Sequence, residues 1–124
     1  PVVENTLNET WVAKDVFVAE THARAKEIAE EGFNRERKHF RDARLQYNPS
    51  GIIHANSDKY QSPTESVETS FILGTSNQVA DQIAELRDAG TRNLMLKLNT
   101  GEMRKADVTQ SMRLLGEKII PLFQ

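Results

Sequence analysis

The 124-residue chain contains no cysteine, which excludes disulfide bridges, thiolate metal sites and cysteine nucleophiles. Long apolar runs are also missing. Stretches such as residues 16–19 are far shorter than the roughly 20 residues that a membrane-spanning helix needs. Pro1 opens directly onto a polar stretch without the features of a signal peptide. We therefore expect no membrane partner and a cytoplasmic location, and a start without Met suggests a processed, cleaved or cloned piece.

An excess of basic residues is absent as well. Sixteen Lys and Arg against 18 Asp and Glu give a net charge of −2, which argues against a nucleic-acid partner. The charged run at residues 35–38 is interpreted as the solvated face of a helix. Hydrophobic residues at 38% and charged residues at 27% indicate a globular chain, and its length fits one domain.

Sequence fingerprints of nucleotide-binding and hydrolytic enzymes are lacking too. There is no GxGxxG, no P-loop and no GxSxG, which argues against a classical dinucleotide enzyme. The three histidines, His22, His39 and His54, are scattered and no pair has metal-ligand spacing. The sequence therefore predicts no metal site.

Three short apolar runs, at residues 15–20, 70–75 and 93–98, predict buried strands. Helical patterns separate them, and residues 1–14 show no period, so an irregular lead-in is expected there. Strands that alternate with helices indicate a parallel sheet with right-handed crossovers.

The first helix is predicted over residues 21–47, with Thr21 as its cap. Its apolar positions recur at helical spacing and are Ala25, Ile28, Ala29, Gly32, Phe33, Phe40 and Ala43. The Asn48–Gly51 turn sequence ends it. Residues 48–69 are predicted to form a long loop or insertion, with a short helix near Thr64–Val67.

The C-terminal part of the chain has the most regular pattern. Thr75 and Gln78 fit a capping box, and Gly90 stands where a left-handed cap belongs. Between them a helix is marked by apolar Val79, Ile83 and Leu86. A last helix, interrupted by Pro121, is marked by Val108, Met112, Leu115 and Ile119.

Three segments resemble luciferase-like flavin-dependent monooxygenases, the superfamily of bacterial luciferase and the F420-dependent oxidoreductases. They are DVFVAETHARAKEIAEE at 15–31, ILGTSNQVADQIAELRDAGTRNLMLKL at 72–98 and TGEMRKADVTQSMRLLGEKIIPLF at 100–123. Their order and spacing are similar to the C-terminal portion of that family. One difference is Ser76-Asn77, where the family commonly has Pro-Glu.

The resemblance implies an α/β fold that is the C-terminal part, about three βα units, of a (β/α)₈ TIM barrel. Residues 1–124 would then form a single partial-barrel domain, since a closed barrel needs about 250 residues. The parent enzyme would use reduced FMN and O₂ to oxidise a small organic substrate, and this chain alone would be inactive. The alternatives are an F420-dependent oxidoreductase, a non-flavin barrel enzyme and a non-catalytic α/β binding or assembly module.

Two strand ends are candidate sites. Gly74, Thr75 and Ser76 join a strand to a helix N-terminus and are candidates for binding the cofactor phosphate, with a purely structural cap as the alternative. Asn99, Thr100 and Gly101 follow the last strand and are candidates for substrate contact, with a plain turn as the alternative. His54 is a further substrate candidate, because its loop could form a lid.

The expected partners follow from the same resemblance. They are a small-molecule substrate and a flavin reductase. A half barrel exposes sheet edges and the inner faces of its strands, which favours a homo-oligomer or association with the missing part of the barrel.

Overall fold

The computed structural model describes residues 1–47 and 66–124. The elements in chain order are α1 (Val2–Glu9), β1 (Trp11–Val18), α2 (His22–Tyr47), α3 (Val67–Ser70), β2 (Phe71–Gly74), α4 (Ser76–Asp88), β3 (Asn93–Lys97) and α5 (Lys105–Leu114). A π-helical turn, Leu115–Ile119, and a 3₁₀ turn, Ile120–Phe123, continue α5 to the C-terminus. No helix in the described ranges is long and apolar enough to cross a membrane.

The three strands form one parallel sheet in the order β2-β1-β3. The two halves of β1 pair with different neighbours, because 15–18 align with β2 whereas 11–15 align with β3. The predicted α/β class with parallel strands is confirmed.

The order of the strands is a finding that the sequence pattern did not supply. Three consecutive units taken from a barrel would place β2 between its neighbours, whereas here β1 is central. The connections from β1 to β2 and from β2 to β3 therefore run in opposite directions along the sheet. Right-handed crossovers then place their helices, α2 and α4, on opposite faces of the sheet.

Two separate apolar cores agree with this arrangement. The core on the α2 face consists of Phe17, Ala19, Ala25, Ile28, Ala29, Val67, Phe71, Leu73 and Met103. The core on the α4 face consists of Val16, Val18, Ile72, Val79, Ile83, Leu114, Leu115 and Ile119. The expectation that the inner faces of the strands lie exposed is thus wrong for 16–18 and 71–73, because helices cover both faces there.

The expectation of an irregular lead-in over residues 1–14 is wrong. Residues 2–9 are helical, although none of them is buried. The Asn93 side-chain amide donates to the backbone carbonyls of Asn8 and Thr10 at 2.7 and 3.1 Å, which fixes the end of α1. Residues 11–14 are extended because they pair with β3, a long-range contact that the local sequence pattern does not show.

Helix α2 confirms the prediction for 21–47, and four predicted positions (Ala25, Ile28, Ala29 and Gly32) are buried. Phe40 differs from the prediction, since 56% of it is exposed. Only the first half of α2 packs on the sheet. The apolar positions in its second half therefore have no sheet surface to contact.

The last helix changes its geometry before Pro121. Proline has no N–H to donate within the helix, and the chain passes through a π turn into a 3₁₀ turn that contains it. Leu115 and Ile119 are buried as predicted, but Met112 is 51% exposed and Ser111 takes the buried position beside it.

The predicted loop over residues 48–69 is described only at its end. There Val67–Ser70 is helical, which replaces the loop expected for 67–69. Residues 48–65, with His54, lie outside the described residues.

Candidate functional site

The N-terminus of α4 is closed by the predicted capping box. The Thr75 hydroxyl accepts from the Gln78 backbone N–H at 3.3 Å, and Gln78 Oε1 accepts from the Thr75 N–H at 3.0 Å. Gly74 has φ +137°, and a Cβ built on it would lie 2.4 Å from Gln78 Oε1. Only glycine leaves room for the reciprocal bonds, so the predicted Gly74-Thr75-Ser76 segment is first of all a helix cap.

Part of that helix end still offers donors. The first-turn N–H groups of an α-helix have no intrahelical acceptor, and the box uses neither Ser76 nor Asn77. Neither side chain is fully buried. Two backbone N–H groups, a hydroxyl and an amide are therefore available for an anion.

His22, at the start of α2, lies beside this cap. Its Nδ1 is 3.2 Å from Gln78 Oε1, and its Nε2 is 3.6 Å from Glu68 Oε1. Gln78 Oε1 can only accept, so Nδ1 carries the proton. His22 thus joins the first turn of α2 to α3 and to the α4 cap.

Glu68 has a second cationic neighbour. The Lys26 ammonium lies 3.3 Å from its carboxylate. The hydrogen bond and charge of Lys26 first, and then those of His22, hold the pKa of Glu68 below its ordinary value. The carboxylate therefore stays ionised near neutral pH, which makes the rim beside the α4 cap mixed in charge.

The crevice between β1 and β3 is occupied by the chain itself. Open α/β sheets bind ligands outside the carboxyl ends of their strands, where neighbouring connections diverge. In the order β2-β1-β3 that place lies between β1 and β3. Here α5 fills it, because the Val18 N–H donates to the buried Ser111 hydroxyl at 3.0 Å.

The predicted Asn99-Thr100-Gly101 segment forms a turn against α2. Thr100 is buried and donates to Asp15 at 2.8 Å, while Asn99 Oδ1 accepts from the Met103 N–H at 2.8 Å. Gly101 packs against the backbone of Gly32. Each residue of this segment thus has a structural contact, and Thr100 has no exposed surface for a substrate.

Charged groups surround the same turn. The Lys97 ammonium lies 2.5 Å from Glu36 and 3.8 Å from Asp15. The hydrogen bond to Glu36, together with the charges of Glu36 and Asp15, raises the pKa of Lys97 despite partial desolvation. This cluster fixes β3 to α2 and neutralises the Glu36 carboxylate.

A cavity of about 400 Å³ lies between this turn and α2, and we name it the turn pocket. Its lining residues are Arg35, Glu36, His39, Phe40, Asn99, Gly101 and Glu102. Two predicted substrate residues, Asn99 and Gly101, are therefore brought together there. Thr100 lies beneath them, and the Gly74–Ser76 cap is not part of the lining.

The turn pocket also contains residues that the sequence analysis missed. Arg35, on the face interpreted as solvated, donates from Nε to the Gly101 carbonyl at 2.7 Å. Glu102 has φ +57° and is the one non-glycine residue with positive φ in the described part of the chain. No local signal marks either, since both depend on the turn packing against α2.

No group of three His, Asp or Glu side chains placed to hold a metal ion occurs within 1–47 and 66–124. Neither a protein-family model nor a curated protein sequence matches this chain.

Solved structures do match it. The monooxygenase RslO1 from Streptomyces bottropensis matches with a TM-score of 0.60 and 17% identity over 92% of this chain. The oxygenating constituent of 3,6-diketocamphane monooxygenase from the CAM plasmid of Pseudomonas putida, a type II Baeyer–Villiger monooxygenase in complex with FMN, gives 0.61 and 21% over 90%. The chain spans 31% and 33% of those two chains, about one third of their length.

Both neighbours are monooxygenases by name, and one of them is in complex with FMN, so the resemblance seen in the sequence is confirmed at the level of the fold. The coverage is consistent with a partial barrel, although the strand order β2-β1-β3 differs from that of three consecutive barrel units.

Proposed function

We propose that this chain is the C-terminal part of a flavin-dependent monooxygenase that uses reduced FMN and O₂ to oxidise a small organic substrate. The supporting observation is the likeness of nine tenths of the chain to two monooxygenases, one of them in complex with FMN. FMN is preferred to F420 for the same reason. A non-catalytic module remains the alternative outcome of the tests below.

The donor set at the α4 N-terminus fits a phosphate group. The N–H groups of Ser76 and Asn77, the Ser76 hydroxyl and the positive end of the helix dipole all favour an anion. Thr75 and Gln78 are engaged in the capping box, so their role is to hold this helix end rigid. In the proposal Gly74, Thr75 and Ser76 form the cofactor segment, with Ser76 as its contacting residue.

A bound reduced flavin would supply the electrons for the reaction with O₂, and residues of this chain would help to position the flavin and the substrate. On the substrate side the turn pocket places Asn99 and Gly101 on its wall. Thr100 would support them from beneath through Asp15. His54 stays a candidate lid residue.

Titration of FMN tests the proposal, both on this chain and on the longer parent protein, with quenching of flavin fluorescence as the readout. Ser76→Asp places a negative charge at the first position of α4. It should stabilise the helix by about 0.3–1 kcal/mol and yet weaken FMN binding, because the charge that favours the dipole repels a phosphate.

Thr109→Asp is the matched control, since Thr109 is exposed on α5 and forms no side-chain hydrogen bond among the described residues. Binding that Ser76→Asp leaves unchanged would remove the phosphate assignment. A parent protein that takes up F420 but not FMN would point to the oxidoreductase alternative, and one that takes up neither would overturn the flavin proposal.

We also propose association with the rest of the parent enzyme or with a second copy, and supply of reduced flavin by a reductase. Within the described ranges β2 and β3 each pair only with β1, which leaves two sheet edges open. Trp11 on β1 and Met95 on β3 are 66% and 57% exposed. Sedimentation of the chain as a monodisperse monomer with a cooperative melt would contradict this association.

A further inference from the structure

We infer that the turn pocket binds a planar organic carboxylate, with Arg35 as its anion-binding residue and Phe40 as its stacking surface. The inference deepens the proposed function and rests on it only in identifying this ligand class as the substrate. The binding site itself is argued from the geometry of α2 and the turn after β3.

Arg35 is a cation held in place by a single hydrogen bond among the described residues, which engages one of its five N–H donors. Its Nε donates to the Gly101 carbonyl at 2.7 Å, which fixes the plane of the guanidinium. It forms no other hydrogen bond or ion pair within the described part of the chain. A planar carboxylate can accept from the two terminal amino groups of the guanidinium in the two-bond geometry that lysine cannot provide.

Two carboxylates line the turn pocket: Glu102 lies exposed on its rim, and Glu36 does not compete for this cation. Glu36 adjoins Arg35 in sequence and lines the same pocket, but it is paired with Lys97 at 2.5 Å. Because that charge is already neutralised, the guanidinium keeps its attraction for an external anion.

Phe40 provides the apolar surface. Its ring is 56% exposed at the pocket wall, although the sequence pattern placed it among core positions. The His39 ring lies 6.2 Å away at an interplanar angle of 57°, which leaves two tilted aromatic walls. A flat ring stacking on Phe40 would bury apolar area that the protein itself leaves in water.

The turn contributes a directed donor and a strained backbone. Asn99 Oδ1 accepts from the Met103 N–H, so the amide nitrogen of Asn99 is the group left to donate to a ligand. Glu102, on the same rim, holds φ +57°, a conformation that is costly for a residue with a side chain. Such strain concentrates at binding sites, where surrounding contacts maintain it.

The size of the pocket limits the ligand. A cavity of about 400 Å³ lies at the small end of the usual range for organic ligands, which suits one or two rings. We therefore expect an aromatic monocarboxylate.

The test is a titration of the full chain with benzoate, followed by amide and Arg Nε chemical shifts in two-dimensional NMR. Saturable shifts should concentrate at residues 35–40 and 99–102. Benzamide, which is planar but uncharged, and cyclohexanecarboxylate, which is charged but not planar, should each bind at least fivefold more weakly.

Two variants should separate the contribution of the Arg35 charge from that of the Phe40 ring. Arg35→Gln and Phe40→Leu should each weaken benzoate binding by about fivefold to tenfold. Arg41→Gln is the matched control, because Arg41 is exposed on the same helix and forms no ion pair in the described ranges, and it should change affinity by less than twofold. Equal losses in Arg35→Gln and Arg41→Gln, or equal binding of the three ligands, would overturn the site.

The benzoate titration can be interpreted separately from the FMN titration. If the parent protein binds benzoate but not FMN, the carboxylate site is supported and the monooxygenase proposal is contradicted. If it binds FMN but not benzoate, the proposed function is supported and the carboxylate site is contradicted.

Discussion

Gly32 and Gly101 meet backbone to backbone where the turn after β3 crosses α2. A Cβ built on Gly101 would lie 1.9 Å from the Gly32 carbonyl oxygen, and one built on Gly32 would lie 2.3 Å from the Thr100 carbonyl oxygen. This contact brings Asn99 and Gly101 next to Arg35, so the turn pocket depends on two residues that have no side chain.

Gly32→Ala should destabilise the chain by about 1–3 kcal/mol, because the added methyl group forces backbone atoms apart. That cost exceeds the roughly 0.5–1 kcal/mol that alanine gains over glycine inside a helix. Gly116→Ala is the control, since nothing lies within 4 Å of its added Cβ, and it should be neutral or stabilising. Urea unfolding measures both, and equal effects would disprove the packing argument.

Ser111→Ala should cost about 1–3 kcal/mol, because it leaves the buried Val18 N–H without an acceptor. Thr109→Ala, two residues earlier on the exposed side of α5, should change stability by less than about 0.5 kcal/mol. If the serine variant unfolds at the same urea concentration as wild type, α5 does not close the β1–β3 crevice in the way described.

Thr75→Ala and Gln78→Ala should each lower stability by about 0.5–2 kcal/mol, as expected for a lost N-cap interaction. The double variant should cost less than the sum of the two, because either change breaks the same reciprocal pair. Thermal unfolding of the four proteins gives the coupling energy. Strict additivity would show that the capping box is not formed in solution.

Lys97 predicts an alkaline dependence of stability. The hydrogen bond to Glu36 raises the folded pKa of Lys97 above its ordinary value of 10.5. The stabilisation is therefore fully present below pH 10.5 and is lost as the pH rises through the folded pKa. The gap in unfolding free energy between wild type and Lys97→Met should be constant near neutral pH and shrink at strongly alkaline pH.

The control for this series is Lys38→Met, since Lys38 is exposed and forms no ion pair within 1–47 and 66–124. Its gap from wild type should stay flat over the same pH range. A gap for Lys97→Met that also stays flat would mean that the Glu36 pair adds nothing to stability.

Much of the candidate site could not be predicted from the sequence. Asn99 and Gly101 could be predicted, because residues that follow a parallel strand lie at the end of the sheet where barrel enzymes bind their ligands. Arg35, Phe40 and Glu102 were not, since helical periodicity assigned Arg35 to solvent and Phe40 to a core. Their environment depends on how far α2 extends past the sheet and on where the turn crosses it.

The sequence by itself determined the local elements of this protein. Hydrophobic periodicity, helix-capping residues and helix-breaking residues are properties of neighbouring positions in the chain. They were enough to predict α2, the capping box at Thr75 and the three parallel strands. The tertiary structure alone decided the order β2-β1-β3, the extended conformation of residues 11–14 and the burial of Ser111. Each of these depends on backbone groups that pair across more than 50 residues of chain, and no local pattern records which partner a strand or a turn will find.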